Sequence, residues 1–231
     1  MLLNRFLSPL RNVNFKYIIS EVLLIFIGIS LSLYFDQWRA NRASDKKEKE
    51  LLAQLIPAIQ RDTAHLNVLI NVNNNIANKM TYLIDSGRFE DKPSKKTILY
   101  LAHINYFYPC KPDFSAFENI KHEGISLISN QDLRISMIKY YELMTQQKEW
   151  TENIINGHFD LITQHVIDDF VDYQFASEAV PEDFSKLKAD KKFWKLIKRT
   201  KMFCELTASQ MSIKKKVGAQ FIDEIQKEIT L

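Results

Sequence analysis

Metal chemistry needs imidazoles and carboxylates that converge, and one stretch of this chain offers them: His158, His165, Asp168 and Asp169. On a helix, His165 and Asp169 lie one turn apart and His158 two turns back on the same face, a geometry that could supply ligands. No HExxH or comparable signature accompanies them, and acidic helices contain such pairs by chance, so a solvated face is the competing reading. His122-Glu123-Gly124 offers an acid and a base, but adjacent residues on a helix point apart, which argues against direct cooperation. No GxSxG, phosphate-binding loop or dinucleotide fingerprint is present, and no Ser/His/Asp arrangement stands out. The residues imply no cofactor and no evident catalytic activity.

Cys110 and Cys204 are far apart in the sequence and form no CxxC or Cys/His metal spacing. Two unpaired thiols is the simpler reading; in an oxidising compartment they could pair only if the fold brought them within reach.

The elements that must position these residues read as helices. With only 5 Gly and 6 Pro in 231 residues, the chain favours long helices over tight turns. From Trp38 to about Ser86, apolar residues recur every three or four positions (Leu52, Leu55, Ile59, Leu66, Ile70, Ile76, Met80 and Leu83), which predicts one amphipathic helix that Pro57 bends. Asn73 falls on its apolar seam, where it either fixes register with a second helix or is a weak point packed on its own domain. A second helix is expected over 95–107, broken by Pro109 and Pro112, and a short one over 115–121, closed by Gly124. Asn130 is a good N-cap, with Asp132 in the first turn, for a third long helix running towards Phe175 that Gly157 interrupts. Residues 190–229 read as one or two further helices, and strand-like alternation is essentially absent.

Ahead of these helices lies the apolar stretch 17–35, YIISEVLLIFIGISLSLYF, whose one charge is Glu21. As a helix it covers on the order of 28 Å, close to the roughly 30 Å of a bilayer's hydrocarbon core. Phe15 and Tyr17 at one end, and Tyr34, Phe35 and Trp38 at the other, suit the membrane–water interface. Ser30-Leu31-Ser32 could pass for a signal-peptide cleavage site, but the apolar run continues past it and Glu21 interrupts the core. An uncleaved anchor therefore fits better than a cleaved signal or a buried core helix. The expected divisions are a short tail over 1–16, a transmembrane helix over 17–36 and a helical extramembrane domain over 37–231.

Basic residues flank both sides, Arg5, Arg11 and Lys16 before and Arg39, Arg42, Lys46, Lys47 and Lys49 after. A bare count favours a cytoplasmic domain. The short tail, free of acidic residues and carrying its own α-amino charge, favours the opposite orientation, with the domain in the periplasm. Within the span, Glu21, Gly28 and Ser32 share one helix face. Gly28 and Ser32 form a small-xxx-small pair, so this face either packs against a partner helix with Glu21 hydrogen-bonded across it, or Glu21 reaches for the interface and Gly28 is incidental.

Net charge is +3, too small to imply nucleic acid as a partner. Residues 140–185 are nonetheless acidic and 186–216 basic. Two antiparallel helices facing each other with complementary fields would explain the split; contact of the basic stretch with anionic lipid or another protein is the alternative.

Two blocks resemble a known family. The first is the span with Glu21, Gly28 and Ile29, followed by Trp38 and the charged run into Lys49-Glu50-Leu51-Leu52. The second is Phe114-Ser115-Ala116-Phe117-Glu118-Asn119-Ile120-Lys121, followed by Gly124 and Leu127-Ile128. Together, over roughly residues 15–145, they look like a large family of uncharacterised bacterial single-span membrane proteins. The resemblance implies a membrane-anchored helical domain and brings no known activity. The chain departs from the pattern at Ser20, where the family usually has Gly, and at His122-Glu123, where small polar residues are usual. Read physically, Glu118 and Asn119 are placed to hydrogen-bond the backbone of the Gly124 turn; the same motif, with Lys121, could instead recognise a ligand.

The reading that results is an all-α protein: an N-terminal transmembrane helix continuing into a long helix that packs in an irregular helical bundle. Its expected role is a membrane-anchored interaction or scaffold domain in the bacterial inner membrane. Expected partners are the lipid bilayer and either a second copy, as a homo-oligomer, or another membrane protein. A ligand- or signal-sensing domain acting through a partner is the first alternative, with a pocket lined by Tyr106, Phe107, Phe114 and Phe117. A metal-dependent helical-bundle hydrolase is the second.

Overall fold

The structure is a computed structural model that describes residues 15–230, so most of the expected 1–16 tail lies outside the described residues. The chain falls into two compact units, residues 1–49 and 50–231. The fold is essentially all-α, as the sequence predicts. Helix α1 (Phe15–Asp85) starts in the first unit and ends in the second. Pro57 sits inside it and is exposed, and the helix continues through it.

In the first unit the described residues are helical, and every large apolar side chain from Tyr17 to Trp38 is exposed. This is the one helical stretch among the described residues long and apolar enough to cross a membrane.

In the second unit, the apolar positions that recur along α1 are the ones that pack. Leu52, Leu55, Ile59 and Leu66 share a core with Met137 and Tyr140 of α4 (Gln131–Asp169) and with Met211 and Phe221 of α6 (Lys191–Thr230). Further along, Ile76, Met80 and Leu83 join a second core with Ile162, Phe193 and Ile197. Burial on this scale, at about 25 cal/mol per Å² of apolar area, is what holds three long helices together. Asn73 is buried on the seam and donates to Leu69 O of its own helix at 2.8 Å, so its polar group is satisfied locally.

Helices α4 and α6 run antiparallel. Asn130 donates to Glu228 (2.7 Å), Trp150 Nε1 to Thr207 Oγ1 (3.2 Å), and His158 Nε2 meets Thr200 Oγ1 (2.7 Å). The antiparallel pairing is as expected; of the complementary charges, Asp169 of the acidic stretch meets Lys186 of the basic one at 3.7 Å, just beyond the end of α4. The bonds named above between α4 and α6 join side chains such as Trp150, Thr207, His158 and Thr200, while Glu142, Glu149, Glu152, Lys195, Lys198 and Lys216 are exposed. Those exposed charges keep their hydration by turning outward, whereas Lys214 of α6 is buried. Gly157, expected to interrupt α4, lies within it, exposed and with open space where a Cβ would stand.

Smaller elements connect the long helices. Ser94 caps α2 (Lys95–Leu101), which is shorter than the 95–107 expected, and α3 (Ser115–Glu123) ends at Gly124, whose φ of 111° suits glycine. Asn130 Oδ1 accepts from Asp132 N and Leu133 N, the cap read from the sequence.

One expectation fails. Helix α4 stops at Asp169, and a hairpin follows, β1 (Phe170–Gln174) antiparallel to β2 (Glu178–Pro181), with Tyr173 opposite Ala179. Val171, Tyr173 and Phe175 alternate as a strand does, but so short a run merges into the helical period that precedes it. The hairpin is pinned by Ala176 N and Tyr173 Oη, both donating to Ala102 O at the end of α2. Asp183 caps the short α5 (Phe184–Ala189), and Asp190 begins α6.

Candidate functional site

The segment before α3 is tied to the core by one buried carboxylate. Asp62 of α1 accepts from Asp113 N at 2.8 Å and from Tyr140 Oη at 3.2 Å. Burial raises the Asp62 carboxyl above its ordinary range, more than these two hydrogen bonds lower it. Asp113 in turn accepts from Ser115 Oγ and from Arg61, which hold its carboxyl down to about 2. Cys110 N donates to Thr151 Oγ1 of α4 (3.1 Å). Helix α3 is therefore set at a fixed place beside α4.

Between α3 and α4 lies an open groove of about 550 Å³. Its apolar walls are Phe114, Phe117, Ile125, Ile138 and Tyr141. The Phe117 and Tyr141 rings stack, centroids 4.3 Å apart and 7° from parallel. Polar groups rim it: Glu118, Lys121, Glu142, Thr145 and Gln146. Lys121 Nζ pairs with Glu118 Oε1 at 2.8 Å and stands 5.3 Å from the Phe117 ring centroid. An aromatic wall with a few polar groups along its edge is the usual make-up of a recognition surface.

The motif residues are thus placed differently from the expectation. Glu118 and Asn119 do not bond the Gly124 turn. Glu118 pairs with Lys121 one turn on, and Asn119 Nδ2 donates to Gln54 Oε1 of α1 (3.1 Å). On α3 the two point apart, one to the groove and one to α1, because adjacent helical residues are about 100° apart. The four aromatics expected in one pocket also divide. Phe114 and Phe117 line this groove, whereas Tyr106 stacks on Phe175 (5.0 Å) and Phe107 meets the edge of His158 (5.5 Å). Tyr141 and Ile138 were not singled out by the sequence; their only signal is the apolar spacing of α4.

The histidine–carboxylate candidates divide as well. His158 is buried between Phe107 and Phe203 and bonded to Thr200, away from the acidic groups. Burial, with Arg199 nearby, lowers its imidazole to about 4 and keeps it neutral. His165 Nδ1 does lie 3.0 Å from Asp169 Oδ2, and the fold adds Asp190 Oδ2 at 3.6 Å. Asp168 is exposed and outside this group, and His122 and Glu123 are exposed on α3.

Cys110 and Cys204 are free, buried in different cores. Burial pushes their thiols up to about 11 and about 12. Of the membrane-face candidates, Glu21, Gly28 and Ser32 are all exposed, and no side chain or distant backbone lies within 4 Å of where a Cβ on Gly28 would stand.

No protein-family model matches the chain, and no match to it is found among curated proteins or solved structures.

Proposed function

We propose that this protein is a single-span membrane protein of the bacterial inner membrane whose helical domain, on the periplasmic side, binds a partner instead of catalysing a reaction. The observation that carries this is the exposure of fifteen large apolar side chains between Tyr17 and Trp38. In water that area would cost about 25 cal/mol per Å², and lipid is the solvent that removes the cost. The Glu21, Gly28 and Ser32 face supports self-association in the membrane, since Gly28 leaves room for a second backbone. The resemblance to single-span bacterial proteins points the same way.

A second reading, ligand or signal sensing passed on to a membrane partner, is favoured by one feature. The α3–α4 groove presents stacked aromatics beside exposed Glu118 and Lys121.

The test is extraction and topology in one strain. The protein should stay with membranes in alkaline carbonate. A cysteine at exposed Ser44 should react with a membrane-impermeant maleimide in cells with a permeabilised outer membrane. Gly28→Leu should lower proximity between two differently tagged copies. Release by carbonate would overturn the anchor, labelling only after lysis would overturn the periplasmic side, and undiminished proximity would overturn the Gly28 face.

A further inference from the structure

We propose that His165, Asp169 and Asp190 form a site for one divalent transition-metal ion of the zinc class, joining the end of α4 to the start of α6. Helix α4 presents His165 and Asp169 four residues apart, hence on one face of its last turns. The hairpin and α5 bring Asp190 back to the same point from 21 positions further along. The three candidate ligand atoms all lie within 4.8 Å of one another, with Nδ1 3.0 Å and 3.6 Å from the two carboxylate oxygens. Ligands bound about 2.0–2.1 Å from a tetrahedral ion stand roughly 3.3 Å apart, so small side-chain rotations suffice to close the site.

The carboxylates are already oriented. Asp190 uses Oδ1 to accept from Lys192 N (2.7 Å) and Phe193 N (3.2 Å), which turns Oδ2 towards His165. Asp169 holds Oδ1 towards Lys186 Nζ at 3.7 Å and turns its own Oδ2 to the same imidazole. Outer contacts that fix one oxygen and leave the other free are what align ligands in metal sites. The His165 ring is backed by the edge of Phe193, 5.9 Å between centroids.

Charge and access agree. The small cavity beside the site is lined by Asp169, Glu182, Asp183 and Lys186, so with Asp190 four carboxylates stand against one ammonium there. Lys186 is 69% exposed at its side chain and free to swing away from an arriving cation. The three ligand side chains are 13–29% exposed, which shields them partly and leaves room for water as a fourth ligand. One imidazole and two carboxylates make a borderline set. It suits Zn²⁺ better than Ca²⁺, which takes six or more oxygens, or Cu⁺, which prefers sulfur.

The experiment uses the full chain in detergent, stripped with chelator, and titrates Zn²⁺ alone near neutral pH by calorimetry and thermal unfolding. The expected result is one ion per chain and a rise in Tm that chelator reverses. Asp190→Asn removes a ligand charge while keeping a residue that caps helices well, so the metal-free Tm should stay near that of the wild type and Zn²⁺ affinity should fall at least about tenfold. His165→Gln should weaken binding likewise. No saturable binding would overturn the site and leave His165 as a hydrogen-bonding link between the two carboxylates, and binding undiminished in both variants would place the ion elsewhere.

Discussion

Tyr140 donates its hydroxyl hydrogen to Asp62 Oδ2 at 3.2 Å inside the core, joining α4 to α1 at the level where Asp113 N also binds Asp62. The Asp62 carboxyl is raised by burial above the 3.8 of a free aspartate, so the folded state holds this proton more tightly than the unfolded state does. Its contribution to stability is full below pH 3.8 and is lost as pH rises through the folded value. Asp62→Asn keeps an acceptor and does not titrate. The Tm of the variant minus that of the wild type should therefore increase as pH is raised from below 3.8 to neutrality. A difference that stays flat or falls would mean that the charged carboxylate is not penalised here.

His158 carries the opposite sign. Its imidazole is lowered from 6.5 to about 4 by burial, so the unfolded state takes up the proton first on acidification. The stability it supplies is complete above pH 6.5 and is lost as pH falls to about 4. The loss is on the order of 3 kcal/mol at full extent. His158→Gln should flatten thermal stability across that window. A wild-type Tm that does not drop between these two pH values would show that the ring stays solvated.

The helices were readable because each repeats one simple signal over many turns. Leu52, Leu55, Ile59 and Leu66 recur on one face, and Asn130 announces α4 through a cap that acts within three residues. The groove was half readable. Phe114 and Phe117 sit together in sequence, but Tyr141 meets them through long-range ties such as Asp113 to Asp62, a contact across 51 residues, and Cys110 to Thr151. His165 and Asp169 were legible as a helical pair, whereas Asp190 joins them across a hairpin whose short strands leave no clear period. Glu118 misled: expected with Asn119 against the backbone of the Gly124 turn, it lies in the first turn of α3 and pairs with Lys121, while Asn119 turns to Gln54 of α1.

Two glycines in long helices should respond oppositely to substitution. A Cβ on Gly218 of α6 would stand 2.9 Å from Thr63 Cγ2 of α1 and 3.1 Å from Tyr140 Cε2 of α4, so three helices close on that position. Gly218→Val should destabilise by about 1–3 kcal/mol through overpacking. A Cβ on Gly157 of α4 would meet nothing beyond its own helix within 4 Å, and Gly157→Ala should stabilise by about 0.5–1 kcal/mol through helix propensity alone. Denaturant midpoints of the two variants check both signs.

Cys110 and Cys204 are 0% exposed, and their thiols are raised to about 11 and about 12. Thiolate is the reactive form, so neither should react with a maleimide in the folded protein near neutral pH, and both should react once it is unfolded. Rapid labelling of the native chain would place one of them at an opening. Silence at both positions makes the native protein a clean background for a reporter cysteine at Ser44.

Glu118 and Lys121 line the α3–α4 groove with side chains 57% and 45% exposed, and their ion pair stands in solvent. Such pairs contribute about 0–1 kcal/mol, so Glu118→Ala should leave the unfolding midpoint almost unchanged. Tyr141 is different: its ring is buried, stacks on Phe117 and belongs to the core. Tyr141→Ala should cost about 3–5 kcal/mol, as for other large aromatic truncations. If the groove recognises a partner, Glu118→Ala combined with Lys121→Ala should weaken capture of that partner in cross-linked membranes while Tm holds. Loss of Tm in the double variant would return the motif to a structural role, the one its position at the end of α3 first suggested.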